Sequence, residues 1–283
     1  MNNIIFSDKK KYDEVLENIS KGGFSNLHIL SDFDKTLTRE FIDGEKRPSL
    51  ISILRRQNIL GEEYSKKAYD LFDYYNPIEI NPNISLEEKK EQMTIWWEKH
   101  LDLLVKSGLK KQDIDKAINS GIIRFREGVK DFLSNMNDKN VPIVVISANG
   151  LGSDSNYLFL EQNNVLFQNI KIISNSFIWD NNGIAIGYNK PVIHVFNKDE
   201  TVLKSFPSIY DSVKSRKNVI LLGDSLGDPA MIHGFEYNNL LKIGFLNDKV
   251  DELLEDYKKH YDVVITGDGD FDFINELTKT IKN

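Results

Sequence analysis

Four aspartates fall into two tight clusters, Asp32 and Asp34 in Ser31-Asp32-Phe33-Asp34-Lys35-Thr36, and Asp224 and Asp228 in Gly223-Asp224-Ser225-Leu226-Gly227-Asp228. Two-residue spacing turns both carboxylates of the first pair to one side of an extended segment, with Phe33 packed on the other. If both segments end central strands, four acids converge. Such a cluster is electrostatically untenable unless protons or a cation compensate it, and all-oxygen ligation points to a hard metal, Mg²⁺. A metal there leaves room for phosphate. Each feature alone has a blander reading. An isolated Asp-x-Asp is usually a turn, and Asp228 before Pro229 also fits a helix N-cap with Pro at N1. Ser147 alone is a strand-end hydroxyl, and Lys198 alone a surface lysine.

The elements that must position these residues are legible as short apolar runs, each ending at a polar or turn-forming group: 27–30, 143–146, 170–173, 219–222 and 263–265. Runs apolar on both faces read as buried parallel strands. Helical patterns such as 129–137 and 250–257 separate most of them, so the fold class is α/β with ligands at the carboxyl ends of the strands. More than 100 residues lie between the first two strands, far beyond an ordinary crossover. Residues 42–127 contain no convincing strand but read as helices at 49–60, 62–75, 85–106 and 110–119. Ser85-Leu86-Glu87-Glu88 is a capping-box start, and Met93, Trp96, Trp97, Leu101 and Leu104 make a helical apolar stripe. The insertion reads as a helical bundle over the mouth of the sheet. Asn181-Asn182-Gly183, between apolar stretches in 177–195, reads as a β-hairpin.

Composition narrows the class. The 283 residues are 40% hydrophobic and 28% charged, which is ordinary for a folded globular chain. A net charge of −7 supplies no global positive field for nucleic acid or an anionic membrane, so phosphate must be bound locally. The absence of cysteine excludes disulfides, thiolate nucleophiles and Cys-ligated metals, and fits a reducing compartment. No signal-like start or long apolar run is present, so a cytoplasmic enzyme is the expectation, monomeric and without nucleic-acid or membrane partners.

Asp-x-Asp-x-Thr after strand one, Ser147 after strand two, Lys198 later and Gly-Asp-x-x-Gly-Asp after a further strand together resemble the haloacid dehalogenase phosphatase superfamily. The resemblance narrows to the cytosolic 5'-nucleotidase III, or pyrimidine 5'-nucleotidase, family. DFDKTLT at 32–38, YYNPIEI at 74–80, EEK and the two tryptophans of the third inserted helix carry it, with IHVFNK at 193–198, ILLGDSLGD at 220–228 and LKIGFLNDKVDELLEDYKKHYDVV at 241–264. It spans roughly residues 20–266.

That resemblance implies a Rossmann-like core with a parallel sheet (residues 1–41 and 128–283) and a helical cap for specificity (residues 42–127). It implies a Mg²⁺-dependent hydrolase of nucleoside 5'-monophosphates, with Asp32 as nucleophile and Asp34 as acid and base. Mg²⁺ would be held by Asp32, the backbone carbonyl of Asp34 and Asp224. Ser147, the Ala148 amide and Lys198 would hold the phosphoryl oxygens, Asp228 would orient Lys198 or a metal-bound water, and Thr36 would brace the loop. Glu79 falls where the family hydrogen-bonds the nucleobase. Trp97 falls where it stacks an aromatic on the base, Trp being the choice of members resembling 7-methylguanosine phosphate-specific enzymes; Trp96 is expected in the bundle core.

Departures concern the base. Ile51-Ser52 replaces the usual His-Asn, His100 replaces a hydroxyl-bearing residue, and Ser147-Ala148-Asn149 replaces Ser-Ala-Gly before a longer loop. Stacking should therefore outweigh directed hydrogen bonds there. The alternatives are a phosphatase for another small ester and a non-enzymatic nucleotide sensor, which would not need the proton donor Asp34. A receiver domain would place its acidic pair before the nucleophile. The loop at 150–155 lacks the third glycine of a dinucleotide turn, and Asp268-Gly269-Asp270-Phe271-Asp272 leads to Phe273 where a calcium loop needs glycine.

Overall fold

The computed structural model describes residues 3–81, 83–199 and 205–282. Its first part runs β1 (Ile4–Phe6), α1 (Lys9–Gly22), β2 (Leu27–Ser31), β3 (Phe41–Ile42) and β4 (Glu45–Lys46). The helices α2 (Leu50–Arg56), α3 (Glu62–Ile80), α4 (Leu86–Lys106) and α5 (Lys111–Asn119) follow. Then come α6 (Val129–Asp138), β5 (Ile143–Ser147), α7 (Gly152–Gln162), β6 (Ile170–Ser174), β7 (Phe177–Trp179) and β8 (Ala185–Tyr188). The chain closes with α8 (Pro207–Val213), β9 (Asn218–Gly223), β10 (Asn239–Leu246), α9 (Val250–His260), β11 (Val263–Thr266) and α10 (Asp272–Lys279).

Seven strands make one sheet in the order β1-β11-β10-β9-β2-β5-β6, parallel except for the antiparallel edge strand β1. The central strands are buried on both faces because alternate residues feed two apolar layers. Leu27, Ile29, Ile143, Val145, Ile220 and Leu222 enter the larger, while Leu30, Val144, Ile146, Val219 and Leu221 enter the smaller. Phe33 is fully buried in the larger layer, edge-on to Phe159. That layer continues through Leu50, Ile53, Leu54, Leu101 and Leu104 into the inserted helices.

Four readings of the sequence are corrected. A short hairpin, β3–β4, sits in the region read as strandless; Asp43 and Gly44 both take positive φ at its turn, and exposed Glu45 and Lys46 hide the strand pattern. The helix read at 49–60 ends at Arg56, since Asn58 turns left-handed. Helix α3 does not stop at Tyr75 but carries Pro77 in its last turn, which puts Glu79 on the helix. Strand β10 was missed because Lys242 and Gly244 interrupt its apolar run. A Cβ at Gly244 would come within 2.6 Å of the Tyr261 ring, so the glycine makes room for that side chain.

The two chain segments that lead into and out of the helical insertion run side by side. Thr38 bridges Phe125 antiparallel, Arg39 N donates to Arg124 O at 2.9 Å, and Arg126 N donates to Leu37 O at 3.0 Å. Arg126, 1% exposed, ties them down: Nε donates to Thr36 O at 2.8 Å and Nη2 to Lys35 O, while Nη1 pairs with Asp268 Oδ1 at 2.9 Å. Asp268 in turn accepts the Glu40 and Phe41 amides, each at 3.0 Å. Among the described residues no helix is long and apolar enough to cross a membrane.

Candidate active site

Strands β2 and β9 are adjacent, with Ser31 opposite Leu222, so both acidic turns leave the same end of the sheet side by side. The Asp32 amide donates to Leu222 O at 3.0 Å, which fixes the first turn against the second. Asp32 is buried, while Asp34 and Asp224 are half-buried. The Thr36 hydroxyl lies 3.3 Å from both Asp32 Oδ2 and Asp224 Oδ1, bridging the two carboxylates with one proton. Buried Lys198 donates to Asp32 Oδ1 and, at 3.1 Å, to Asp228 Oδ1.

Asp228 is not a helix cap. The short 3-10 turn Asp228–Ile232 has Gly227 at its N-cap, and Asp228 Oδ2 instead accepts the Asp224 and Ser225 amides at 3.0 and 2.8 Å. It closes the turn that presents Asp224. Beneath that turn, Tyr257 donates to Asp224 O, and Tyr261 to Ser225 O at 2.5 Å.

Carboxylate oxygens of Asp32, Asp224 and Asp228 all lie within 4.8 Å of one another. Burial pushes the Asp32 carboxyl up to about 7 against the pull of Lys198, with Asp228 adding to the rise. Burial also raises Asp224, helped by Asp228 and Asp32, and raises Asp34 against Lys198 and Lys35. Burial opposes the charge on Lys198, yet Asp228 and Asp32 outweigh it and raise its pKa. One lysine thus faces more acids than it can neutralise, and the donor set is all oxygen: the cluster fits a hard divalent cation. Because Asp228 is committed to two amides and Lys198, Asp32 and Asp224 keep the freer oxygens.

On the neighbouring strand β5, buried Ser147 ends the run and its Oγ accepts the Asn149 amide at 3.2 Å. Beside it a cavity of about 210 Å³ is lined by Asp34, Ala148 and Asn149 together with Glu79, Trp96 and Trp97 of the inserted helices. Gly150 forms part of its wall, where a Cβ would stand 2.2 Å from Ile51 Cδ1 and 2.6 Å from the Trp97 ring. Burial raises the Glu79 carboxyl against the Asn76 amide, which donates to it at 3.4 Å. Tyr75, Trp96, Trp97 and His100 form a stacked row, with Tyr75 and Trp96 inclined by 11°. Trp96 was expected in the core; it lines the cavity instead, half-buried, because it belongs to this row. Sequence reasoning missed Arg55, Ser49 and Phe72, which line the same cavity. Arg55 carried a signal in principle, a cation on the apolar face of α2. Helix α4 is fastened to the loop that carries Lys198 by the Thr94 hydroxyl, 3.0 Å from His194 Nε2, and by Lys90 on Asp199 at 3.0 Å.

Fold and site together define a haloacid dehalogenase-type phosphatase, a phosphoric monoester hydrolase. A phosphoserine phosphatase structure, 18% identical with a TM-score of 0.52, shares the fold. Residues 35–282 match the family described as Pyrimidine 5'-nucleotidase (UMPH-1), and the chain belongs to that family. It is 37% identical over 279 residues to the 7-methylguanosine phosphate-specific 5'-nucleotidase B of Xenopus laevis, covering 98% of this chain and 95% of that one. The 7-methylguanosine phosphate-specific 5'-nucleotidase of Homo sapiens is 35% identical, with 98% and 92% covered. Among solved structures, cytosolic 5'-nucleotidase IIIB bound to cytidine is similar at a TM-score of 0.90 and 31% identity, over 99% of this chain and 94% of that one.

Proposed function

We propose that this enzyme hydrolyses nucleoside 5'-monophosphates, pyrimidine and 7-methylguanosine, to nucleoside and phosphate through an aspartyl phosphate on Asp32. The observation that carries the reading is that one cavity is lined both by Asp34 and Ala148 and by Glu79, Trp96 and Trp97. The relatives' names and the cytidine-bound structure support it. When bound, Mg²⁺ held by Asp32, the Asp34 backbone carbonyl and Asp224 would offset the repulsion between nucleophile and phosphate.

The chain's own groups then divide the work. An Asp32 carboxylate oxygen attacks phosphorus, the bond from phosphorus to the nucleoside O5' breaks, and Asp34 gives its proton to that oxygen. In the second half Asp34 takes a proton from water as the water oxygen attacks phosphorus, and the bond to Asp32 breaks to release phosphate. Lys198, the Ser147 hydroxyl and the Ala148 amide hold the phosphoryl oxygens, and Asp228 and Thr36 hold Lys198 and the two carboxylates in place. Glu79 accepts a hydrogen bond from the base, and Trp97 stacks on it. Residues 42–127 act as the specificity cap on a core of residues 1–41 and 128–283.

Phosphate release from UMP, CMP, 7-methyl-GMP, AMP and GMP, with and without Mg²⁺, tests this reading. Mg²⁺-dependent release from the first three is expected; turnover of p-nitrophenyl phosphate with none of the five would leave a phosphatase for another ester. Lys198→Ala should lower kcat/KM by about 10²–10³, because a charge beside the phosphate dianion disappears from a buried site. Unchanged kinetics would make Lys198 a bystander. Trp97→Ala should weaken apparent nucleotide affinity by about 1–3 kcal/mol, the scale of one base–aromatic stack. An equal loss on a phosphate ester without a base would assign Trp97 to packing alone.

A further inference from the structure

The lining of the cavity includes a charge that neither the phosphate chemistry nor the aromatic row uses. Arg55 is 7% exposed and lines the cavity beside Ser52, Phe72 and His100. Its guanidinium stands 4.5 Å from the centroid of Phe72 and 5.3 Å from that of Tyr69. Nη2 donates to Ser52 Oγ at 3.2 Å, but Nε is buried with no acceptor. Asp73, the carboxylate that acts on Arg55 electrostatically, makes no ion pair with it. Nε is closed off from the cavity, but a buried guanidinium that no carboxylate pairs is costly, and because Arg55 lines the cavity a ligand there can supply an acceptor to the rest of the group. Its neighbour His100 is held neutral, its pKa pushed down to about 3 by burial and then by Arg55, so it adds no competing charge.

The geometry points to Arg55 as a specificity-determining residue that donates to a keto oxygen of the nucleobase, given the reading that this cavity takes a nucleoside monophosphate. A guanidinium only donates and an ionised carboxylate only accepts. Arg55 and Glu79 on one cavity therefore select bases that present both a keto oxygen and an N–H or amino group. Uracil, cytosine, guanine and 7-methylguanine qualify; adenine has an amino group and no keto oxygen. Stacking discriminates little between bases, so the directed contact comes from a residue three places beyond Ser52, about one turn further along α2.

The test is Arg55→Met, which keeps an apolar stem against Phe72 and Tyr69 and removes charge and donors. kcat/KM on UMP should fall about ten- to hundredfold, the range of a hydrogen bond to a charged group. Turnover of p-nitrophenyl phosphate, which has no nucleobase, should stay within about twofold. A fall of less than about threefold on UMP, or an equal fall on both esters with the thermal transition retained, overturns the assignment. If the variant loses its thermal transition, the wild-type enzyme decides: IMP should be used at least about tenfold better than AMP, which carries an amino group where IMP has the keto oxygen. Equal use of the two, or use of neither, overturns it. Wild-type enzyme that hydrolyses p-nitrophenyl phosphate and no nucleotide would instead sink the nucleotidase reading itself.

Discussion

Asp32→Asn is expected to abolish phosphate release, with kcat on UMP reduced by about 10⁴ or more, as removal of a nucleophile does elsewhere. The amide is a poor nucleophile and a poor ligand for a hard cation. Folding should survive. Asparagine matches the aspartate in shape, Lys198 keeps Asp228 as a partner at 3.1 Å, and the Asp32 amide bond to Leu222 O does not involve the side chain. Burial already disfavours the charge that the substitution removes. The check pairs circular dichroism with a turnover assay sensitive to the last traces of activity. A folded variant with more than about a hundredth of wild-type turnover would take Asp32 out of the nucleophile's role.

The largest effect on stability is expected at Arg126→Met, a loss of about 3–5 kcal/mol, the scale of breaking a buried ion pair. Asp268, 8% exposed, would lose its close partner and be left with Arg39, whose Nη1 is 3.9 Å from Oδ2. The Thr36 and Gly269 carbonyls, which accept from Arg126 at 2.8 and 2.6 Å, would lose their donor as well. Thr36 also bridges Asp32 and Asp224, so activity should fall in the fraction that remains folded. Urea unfolding of wild type and variant, compared by midpoint at equal slope, measures the difference. A loss below about 1 kcal/mol would show that the clamp contributes little to holding the fold.

The parts of this molecule legible in its sequence are those in which a local pattern and a buried position coincide. The runs that became β2, β5 and β9 are apolar on both faces and stop at Ser31, Ser147 and Gly223, so strand and site edge were marked by the same residues. The NNG turn of the β7–β8 hairpin and the Ser85 cap, which accepts Glu88 N at 3.2 Å, were equally local. What stayed hidden depends on partners far along the chain. Arg126 and Asp268 are 142 residues apart. The orientation of Trp96 into a stacked row and of Arg55 into the cavity follows from how α2, α3 and α4 cross, which helical periodicity does not specify. Asp228 looked like a cap because its neighbour is proline, while its carboxylate in fact reaches back to the turn before it.

The adjacency of β2 and β9 has a consequence for how the protein comes to exist on the ribosome. The strand that leads to Asp32 precedes both of its parallel partners in the chain: β5, on one side, follows after the helical insertion. Its partner on the other side, β9, begins only at Asn218. Until that segment emerges, the β9-facing side of Leu27–Ser31 is an apolar strand edge with unpaired backbone groups, the kind of surface that seeks strands on other chains. A chain truncated before Asn218 should therefore be insoluble polypeptide rather than a weakened enzyme, since the same missing strand both completes the acidic cluster and joins the two halves of the sheet.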